Sequence, residues 1–144
     1  MPEWLTKEYE RRKQAEYERI RERFPTLVTH GFECWIGWFP IIERFFAEVS
    51  DTLDGAPGVR FDLIQIKEKF GGLRIYYQVT SPPAGRHLDT REFRAADAPW
   101  QIDRAYERAS KKALHTCDVC GRPGVLRNHK GVFATRCDEH AIRG

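Results

Sequence analysis

The strongest constraint on the fold is a set of four metal-ligand residues in the last 28 positions. Cys117 and Cys120 are separated by two residues, and Gly121 follows them; after sixteen intervening residues, Cys137 and His140 form a second pair. Three thiolates and one imidazole form a standard tetrahedral set for zinc, and two residues between ligands let one tight turn present both side chains. The alternatives are unrelated residues or disulfides.

The spacing predicts a zinc knuckle, a β-hairpin and a closing helical turn, which together would form a treble-clef-like finger. Glycine after the second cysteine suits a knuckle that needs a positive φ. Because four ligands fill the shell, we expect one structural zinc ion rather than a catalytic one.

The remaining 116 residues predict an α+β fold, with helices packed on a small antiparallel β-hairpin sheet. The predicted boundaries are a charged N-terminal helix over 1–25, an α+β core over 26–115 and the finger over 116–144. Nine Phe, five Tyr and four Trp supply material for a core in a chain of 144 residues.

Three helices are expected from periodicity and breakers. The first, over 3–24, carries charges of both signs and only a thin apolar stripe, so we expect it to dock weakly and to end at Pro25. The second has Pro40 in its first turn and an apolar face that includes Trp38, Phe45, Phe46 and Val49. A third helix is expected over 100–115, with Asp97 as its cap and Pro99 in its first turn.

Two strands, 60–67 and 73–80, are predicted on either side of a turn that contains Gly71 and Gly72. Ile64, Ile66, Ile75 and Tyr77 are expected to pack against the second helix. The polar segment 81–98 is expected to be a loop.

Cations are candidates for a partner-binding surface in three places, although an exposed charged face is often merely solvated. The C-terminal 46 residues hold nine positive and five negative charges, within a net charge of +3 for the chain. The candidates are Lys67, Lys69 and Arg74 with Tyr76 in the hairpin; Arg104, Arg108 and Lys111 in the third helix; and Arg122, Arg127, Lys130 and Arg136 in the finger.

Several motifs resemble those of a family of small proteins found in bacteriophages, prophages and bacterial genomes. They are GWF at 37–39, the block QIKEKFGGLR at 65–74, and the CDVCG and CDEH motifs of the finger. The resemblance covers about residues 31–141. It implies a phage or mobile-element setting and the zinc finger, and it implies no reaction, since no activity is assigned to the family.

These features predict a non-catalytic, intracellular zinc-binding module that acts by binding a macromolecule. One hypothesis is a protein-interaction factor, such as an inhibitor or adaptor of host machinery. The other is nucleic-acid binding through the candidate cations. Exposed aromatic residues on one face would favour the first, and a continuous basic groove would favour the second.

A nuclease is the weakest alternative. Asn128 and His129 resemble the histidine motif of HNH nucleases, but only seven residues separate His129 from Cys137, which is too few for the remaining elements of such a site. No small-molecule substrate is evident. The start of the chain shows no signal peptide, no apolar stretch is long enough to cross a membrane, and cysteines arranged for metal favour the reducing cytoplasm. Cys34, the fourth cysteine, is expected to be a buried apolar residue.

Overall fold

The computed structural model describes residues 2–83 and 90–143 and has the α+β architecture that the sequence predicts. Within these residues, no helix is both long and apolar enough to cross a membrane. Short 3₁₀ turns occur at Glu3–Leu5, Ile36–Trp38 and Asp138–His140. The helices and strands are α1 (Lys7–Arg23), β1 (Phe32–Glu33), α2 (Phe39–Asp54), β2 (Arg60–Lys69), β3 (Gly72–Thr80), α3 (Thr90–Ala113), β4 (Val125–His129) and β5 (Val132–Arg136).

Strands β2 and β3 form the predicted antiparallel hairpin. Phe70 and Gly71 at the turn have φ angles of 53° and 81°, which is the left-handed conformation of a two-residue hairpin turn. The sheet also contains a strand that the sequence did not reveal: β1 pairs in parallel with β2, with Phe32 opposite Ile66. Two residues are too few to show any periodicity.

The prediction that Ile64 is buried was wrong. The register between β2 and β3 shifts between Leu63 and Gln65, so a β-bulge lies at Ile64 and its side chain is 54% exposed. The alternation resumes in the opposite phase, and Leu63 and Ile66 both face the core.

Helix α2 packs its apolar face on the inner face of the sheet, as predicted. Trp38, Phe45, Phe46 and Val49 are all at most 1% exposed. Phe45 contacts Phe46 edge to face and lies 5.8 Å, between ring centroids, from Tyr77 on β3. The core is therefore largely aromatic, and α3 closes it from the side of α2.

Helix α3 begins earlier than predicted, at Thr90, so Asp97 is not its cap and Pro99 lies inside it. A proline inside a helix leaves the carbonyl four residues earlier without its N–H partner. For Pro99 this carbonyl belongs to Ala95, and the Ser81 hydroxyl supplies the missing donor through a 3.0 Å hydrogen bond. Residues 84–89 of the predicted loop lie outside the described residues.

Helix α1 docks on the rest of the protein more firmly than its thin apolar stripe suggested. Tyr9 and Ile20 are buried, although Leu5 is 56% exposed. At the other end of the helix, Arg19 and Arg23 both bind the Glu43 carboxylate on α2, at 2.7 and 2.9 Å. These hydrogen bonds outweigh partial burial and lower the pKa of Glu43.

Candidate metal centre

The four predicted ligands converge in one cluster. The ligand atoms of Cys117, Cys120, Cys137 and His140 all lie within 4.8 Å of one another. The Nδ1 atom of His140 is 3.3 Å from the Cys137 sulfur and 3.6 Å from the Cys117 sulfur. The sulfurs of Cys120 and Cys137 are 3.8 Å apart, which is too far for a disulfide bond. The donor set is therefore compatible with one metal ion.

Two tight turns present these ligands. In the first, the Gly121 N–H donates to the Cys117 carbonyl, and Gly121 has a φ of 81°, the conformation for which a glycine was expected. Strands β4 and β5 then form an antiparallel hairpin that carries the chain to Cys137. The closing element is a single 3₁₀ turn, in which the His140 N–H donates to the Cys137 carbonyl.

The cysteine environments differ in their electrostatics. Burial raises the pKa of the Cys117 thiol to about 11. At Cys120, burial also acts to raise the pKa, but hydrogen bonds outweigh it, foremost the one that Arg122 Nε donates to the sulfur at 3.4 Å, and the pKa is lowered.

The N-terminal segment completes the surroundings of His140. With its Nδ1 atom towards the sulfurs, the histidine has its Nε2 atom 2.8 Å from the Glu3 carboxylate. The Trp4 ring meets the His140 ring edge to face, with centroids 5.8 Å apart. A carboxylate in this position fixes the tautomer of a metal-binding histidine and its ring orientation.

Helix α1 and the segment before α2 contact the backbone of the knuckle, the turn over residues 117–121. The Tyr9 hydroxyl donates to the Val119 carbonyl at 2.8 Å and accepts from the Ile36 N–H at 3.0 Å. Burial raises the pKa of Tyr9, so the hydroxyl stays protonated and can donate. The Gly37 N–H donates to the Asp118 carbonyl, and the Trp38 indole N–H donates to the Thr116 carbonyl.

A glycine is needed at position 37 because the knuckle backbone lies too close for a side chain, and not because of a positive φ angle. A Cβ atom at this position would lie 2.2 Å from the Cys117 carbonyl oxygen. The knuckle therefore packs directly on the backbone that precedes α2.

The β2–β3 turn contacts the finger from another side. The Thr135 hydroxyl donates a 2.7 Å hydrogen bond to the Gly71 carbonyl. Gly71 also lies against Leu126, whose Cδ1 atom would be 2.4 Å from a Cβ atom at that position. The candidate metal centre thus lies where three parts of the core meet the finger.

Arg136, a candidate for partner binding, is instead part of the interior, and that prediction was wrong. Its side chain is 8% exposed, and its Nε atom donates to Asp118 at 2.6 Å. It also lies over the Trp4 ring and donates to the His140 carbonyl. A partner could reach this guanidinium only by disrupting a buried ion pair.

Most of the other cations near the finger are paired with acids. Arg122 binds Glu139, Arg127 binds Asp138, and on α3 Arg104 binds Glu107 and Arg108 binds Glu48. Arg104 also lies over the Trp100 ring, and its Nε atom is buried without a hydrogen-bond partner among the described residues. Lys111 and Lys130 are exposed. The finger end is therefore a surface of mixed charge rather than a continuous basic groove.

The hairpin candidates share the outer face of the sheet. Lys67 pairs with Arg74 across β2 and β3, Lys69 pairs with Gly72, and Lys67 lies over the ring of Tyr76. Glu33 of β1 lies opposite Lys67 on the same face, so an acid accompanies these cations.

Exposed apolar side chains gather where the β2–β3 turn meets the finger hairpin. Phe70 is 68% exposed, Leu126 49% and Phe133 39%. Phe70 and Phe133 meet edge to face, and Leu126 abuts Gly71, so the three are contiguous. We call them the tip patch.

The Asn128–His129 pair has a local structural role. The side-chain oxygen of Asn128 accepts from the Gly131 N–H at 2.8 Å and so stabilises the turn between β4 and β5. His129 is the last residue of β4, and it is not a member of the metal cluster.

Sequence reasoning missed the residues that surround the cluster: Glu3, Trp4, Tyr9, Gly37 and Asp118. Glu3 lies 137 positions from its partner His140, and no local spacing signals such a contact. Gly37 was noticed only as part of a motif. Cys34 is buried, as expected, and burial raises the pKa of its thiol.

No family model, curated protein or solved structure matches this chain.

The close approach at Gly37 generates a stability prediction. Gly37→Ala places a methyl group against the knuckle backbone, which cannot rotate away as a side chain can. We expect a loss of about 1–3 kcal/mol of unfolding free energy, as for other overpacked positions. Gly31→Ala is the matched control, because a Cβ atom there would meet nothing within 4 Å. Equal stability of the two variants in chemical denaturation would contradict the importance of this contact.

Proposed function

We propose that the chain is a non-catalytic protein-interaction module whose fold is held together by one structural zinc ion. The geometry of the ligand cluster supports the metal. The exposed tip patch, together with the pairing of most cations near the finger with acids, supports a protein partner.

The distances in the cluster fit zinc. A tetrahedral ion with Zn–S bonds of about 2.3 Å and a Zn–N bond of about 2.0–2.1 Å requires sulfurs about 3.8 Å apart and sulfur–nitrogen distances of about 3.5 Å. The observed values are 3.8 Å for the Cys120–Cys137 sulfur pair, and 3.3 and 3.6 Å for the contacts of His140. The knuckle, the hairpin and the closing turn support a treble-clef-like arrangement. With four protein ligands, zinc would act as a crosslink and leave no open position for a substrate.

The purified protein should hold one zinc ion per chain by elemental analysis. Cys137→Ser or a strong chelator should remove the ion, and metal binding contributes about 10–16 kcal/mol to the folding of isolated zinc fingers. Because the knuckle shares hydrogen bonds with α1 and the segment before α2, we expect the core amides to lose protection together with the last 30 residues. This can be followed by NMR hydrogen exchange.

Cys34→Ala is the control, since this cysteine lies outside the cluster and its variant should keep the zinc. A protein without zinc that is fully ordered to its C terminus would contradict the structural role.

Glu3 should act as a positioning residue for His140. Glu3→Gln keeps the shape of the side chain but weakens the acceptor for the His140 Nε2–H group. Loss of such a partner typically costs 10–100-fold in metal affinity. A competition titration with a coloured chelator measures this effect. Glu8→Gln in the first turn of α1 is the control, because Glu8 pairs with Arg11 at the surface. Equal zinc affinity of both variants would remove Glu3 from this role.

A protein partner is favoured over nucleic acid because most candidate cations of α3 and the finger are paired with acids, whereas a patch of apolar side chains is exposed. Phosphate recognition relies on cations that can exchange counterions for phosphates, and each cation already paired to an acid contributes less. Arg136 is buried, and Arg104, Arg108, Arg122 and Arg127 are all paired. In contrast, contiguous exposed aromatic and aliphatic side chains are enriched at sites of protein association.

Nucleic-acid binding on the outer face of the sheet is the second candidate. Lys67, Arg74 and Tyr76 share that face, and a cation beside an exposed aromatic ring is a suitable platform for stacking bases. Such binding should weaken steeply between about 50 and 200 mM salt.

The tip patch should be required for partner capture. Phe70→Ser and Phe133→Ser should each abolish retention of a partner from a lysate of the native host, because the exposed rings would be central to the contact. Phe93→Ser is the matched control, since Phe93 is similarly exposed, at 63%, on α3. Affinity capture followed by mass spectrometry, repeated after nuclease treatment, provides the measurement.

Two outcomes would contradict the proposal. A partner that is lost equally with Phe93→Ser would not depend on the tip patch. Salt-sensitive binding of labelled oligonucleotides that disappears in Lys67→Ala and Arg74→Ala, with no protein captured, would establish the nucleic-acid alternative instead.

A further inference from the structure

A groove lies between α2 and α3, and none of its lining residues belongs to the tip patch or the metal centre. Its volume is about 460 Å³, and its floor is formed by Ile41, Phe45, Ala105 and Ala109. The groove exists because α3 presents alanines at positions four apart, which are too small to fill the space beside α2. The two helices run antiparallel here, since Glu48 meets Arg108 and residues before Glu48 line the groove with Lys112.

The rim of the groove is predominantly basic. Arg44, Arg108 and Lys112 line it together with a single acid, Glu48. Glu48 forms an ion pair with Arg44 of the same helix, with 3.4 Å between Nε and the carboxylate, and it accepts a 3.2 Å hydrogen bond from Arg108 Nη2 of α3. The second contact joins the two helices. Each guanidinium carries five N–H donors. Both side chains are largely exposed, at 81% and 60%, so most of their donors remain available to another acid.

The length of the groove matches about two turns of a helix. From Pro40 to Glu48 on one side, and from Ala105 to Lys112 on the other, a helical rise of 1.5 Å per residue gives about 10–12 Å. An amphipathic helix laid in such a groove inserts apolar side chains at i, i+4 and i+7. The charges on both sides of the floor would then face the flanking positions of that helix.

We propose that the α2–α3 groove docks an amphipathic helix of a protein partner, whose apolar stripe is flanked by Asp and Glu. This site goes beyond the tip patch, with which it shares no residue. Phe45, Ala105 and Ala109 are at most 6% exposed, so the apolar contact would come mainly from Ile41 and from the aliphatic stems of the rim side chains. The basic rim selects the acidic flanks, because a helix with basic flanks would place like charges beside Arg44, Arg108 and Lys112.

The test uses the full zinc-loaded chain and two labelled synthetic peptides of about 14 residues, roughly four helical turns. The first carries leucine at i, i+4 and i+7 with glutamate flanks, and the second has lysine in place of every glutamate. Fluorescence anisotropy measures the affinity, and amide shifts of Ala105 and Ala109 locate the site. We expect saturable binding of the acidic peptide, weakened by salt, and no binding of the lysine peptide.

Lys112→Glu and Lys111→Glu form a matched pair of variants. Both residues are exposed in the last turn of α3, but only Lys112 lines the groove. We expect Lys112→Glu to lower the affinity for the acidic peptide by about three- to tenfold, the effect of reversing one charge of a surface pair. Lys111→Glu should change this affinity little. Thermal unfolding verifies that both variants are folded.

Failure of the acidic peptide to bind, equal binding of the two peptides, or equal effects of the two variants would overturn the proposal. Each of these outcomes is independent of whether the tip patch captures a partner.

Discussion

The packing of the knuckle backbone against the rest of the chain is the interaction on which the other features depend. Gly37 approaches the Cys117 carbonyl so closely that no side chain fits between them, and Tyr9 and Trp38 donate hydrogen bonds to neighbouring carbonyls of the knuckle. Buried carbonyls need such donors, since an unsatisfied one costs about 1–3 kcal/mol. The finger therefore contributes to the core rather than extending from it.

This packing explains why the charged N-terminal helix is ordered against the protein. Its apolar stripe is thin, but Tyr9 donates a hydrogen bond to the knuckle, and Arg19 and Arg23 bind Glu43. Glu3, in the 3₁₀ turn that precedes the helix, contacts His140. Each contact alone is modest. Together they connect both ends of the helix to separate parts of the chain, one of which is the backbone beside the candidate metal centre.

Ion pairs within the fold neutralise several of the positive charges of the C-terminal third. The C-terminal third is rich in Lys and Arg, and composition alone favoured a basic contact surface there. In the structure, Arg136 is buried with Asp118, and Arg122 and Arg127 bind the acids beside His140. Of these three pairs, the one between Arg136 and Asp118 is buried and the other two lie at the surface. Among the described residues, the exposed features include the tip patch and the groove between α2 and α3 with its basic rim, and the proposed protein partners rest on these two surfaces.

The sequence alone determined the features that depend on local spacing: the four-ligand cluster, the apolar face of α2, the β2–β3 turn and the α+β class. Each is encoded within a few residues by ligand chemistry, helical periodicity or a glycine at a left-handed position. The bulge at Ile64, the short parallel strand β1, the position of Pro99 inside α3, the burial of Arg136 and the contact between Glu3 and His140 were decided only by the tertiary structure. These features depend on contacts between segments that are distant in the chain. Ser81 donates to the carbonyl of Ala95, and Glu3 contacts a histidine 137 positions away. Contacts over such distances leave no local pattern in the sequence.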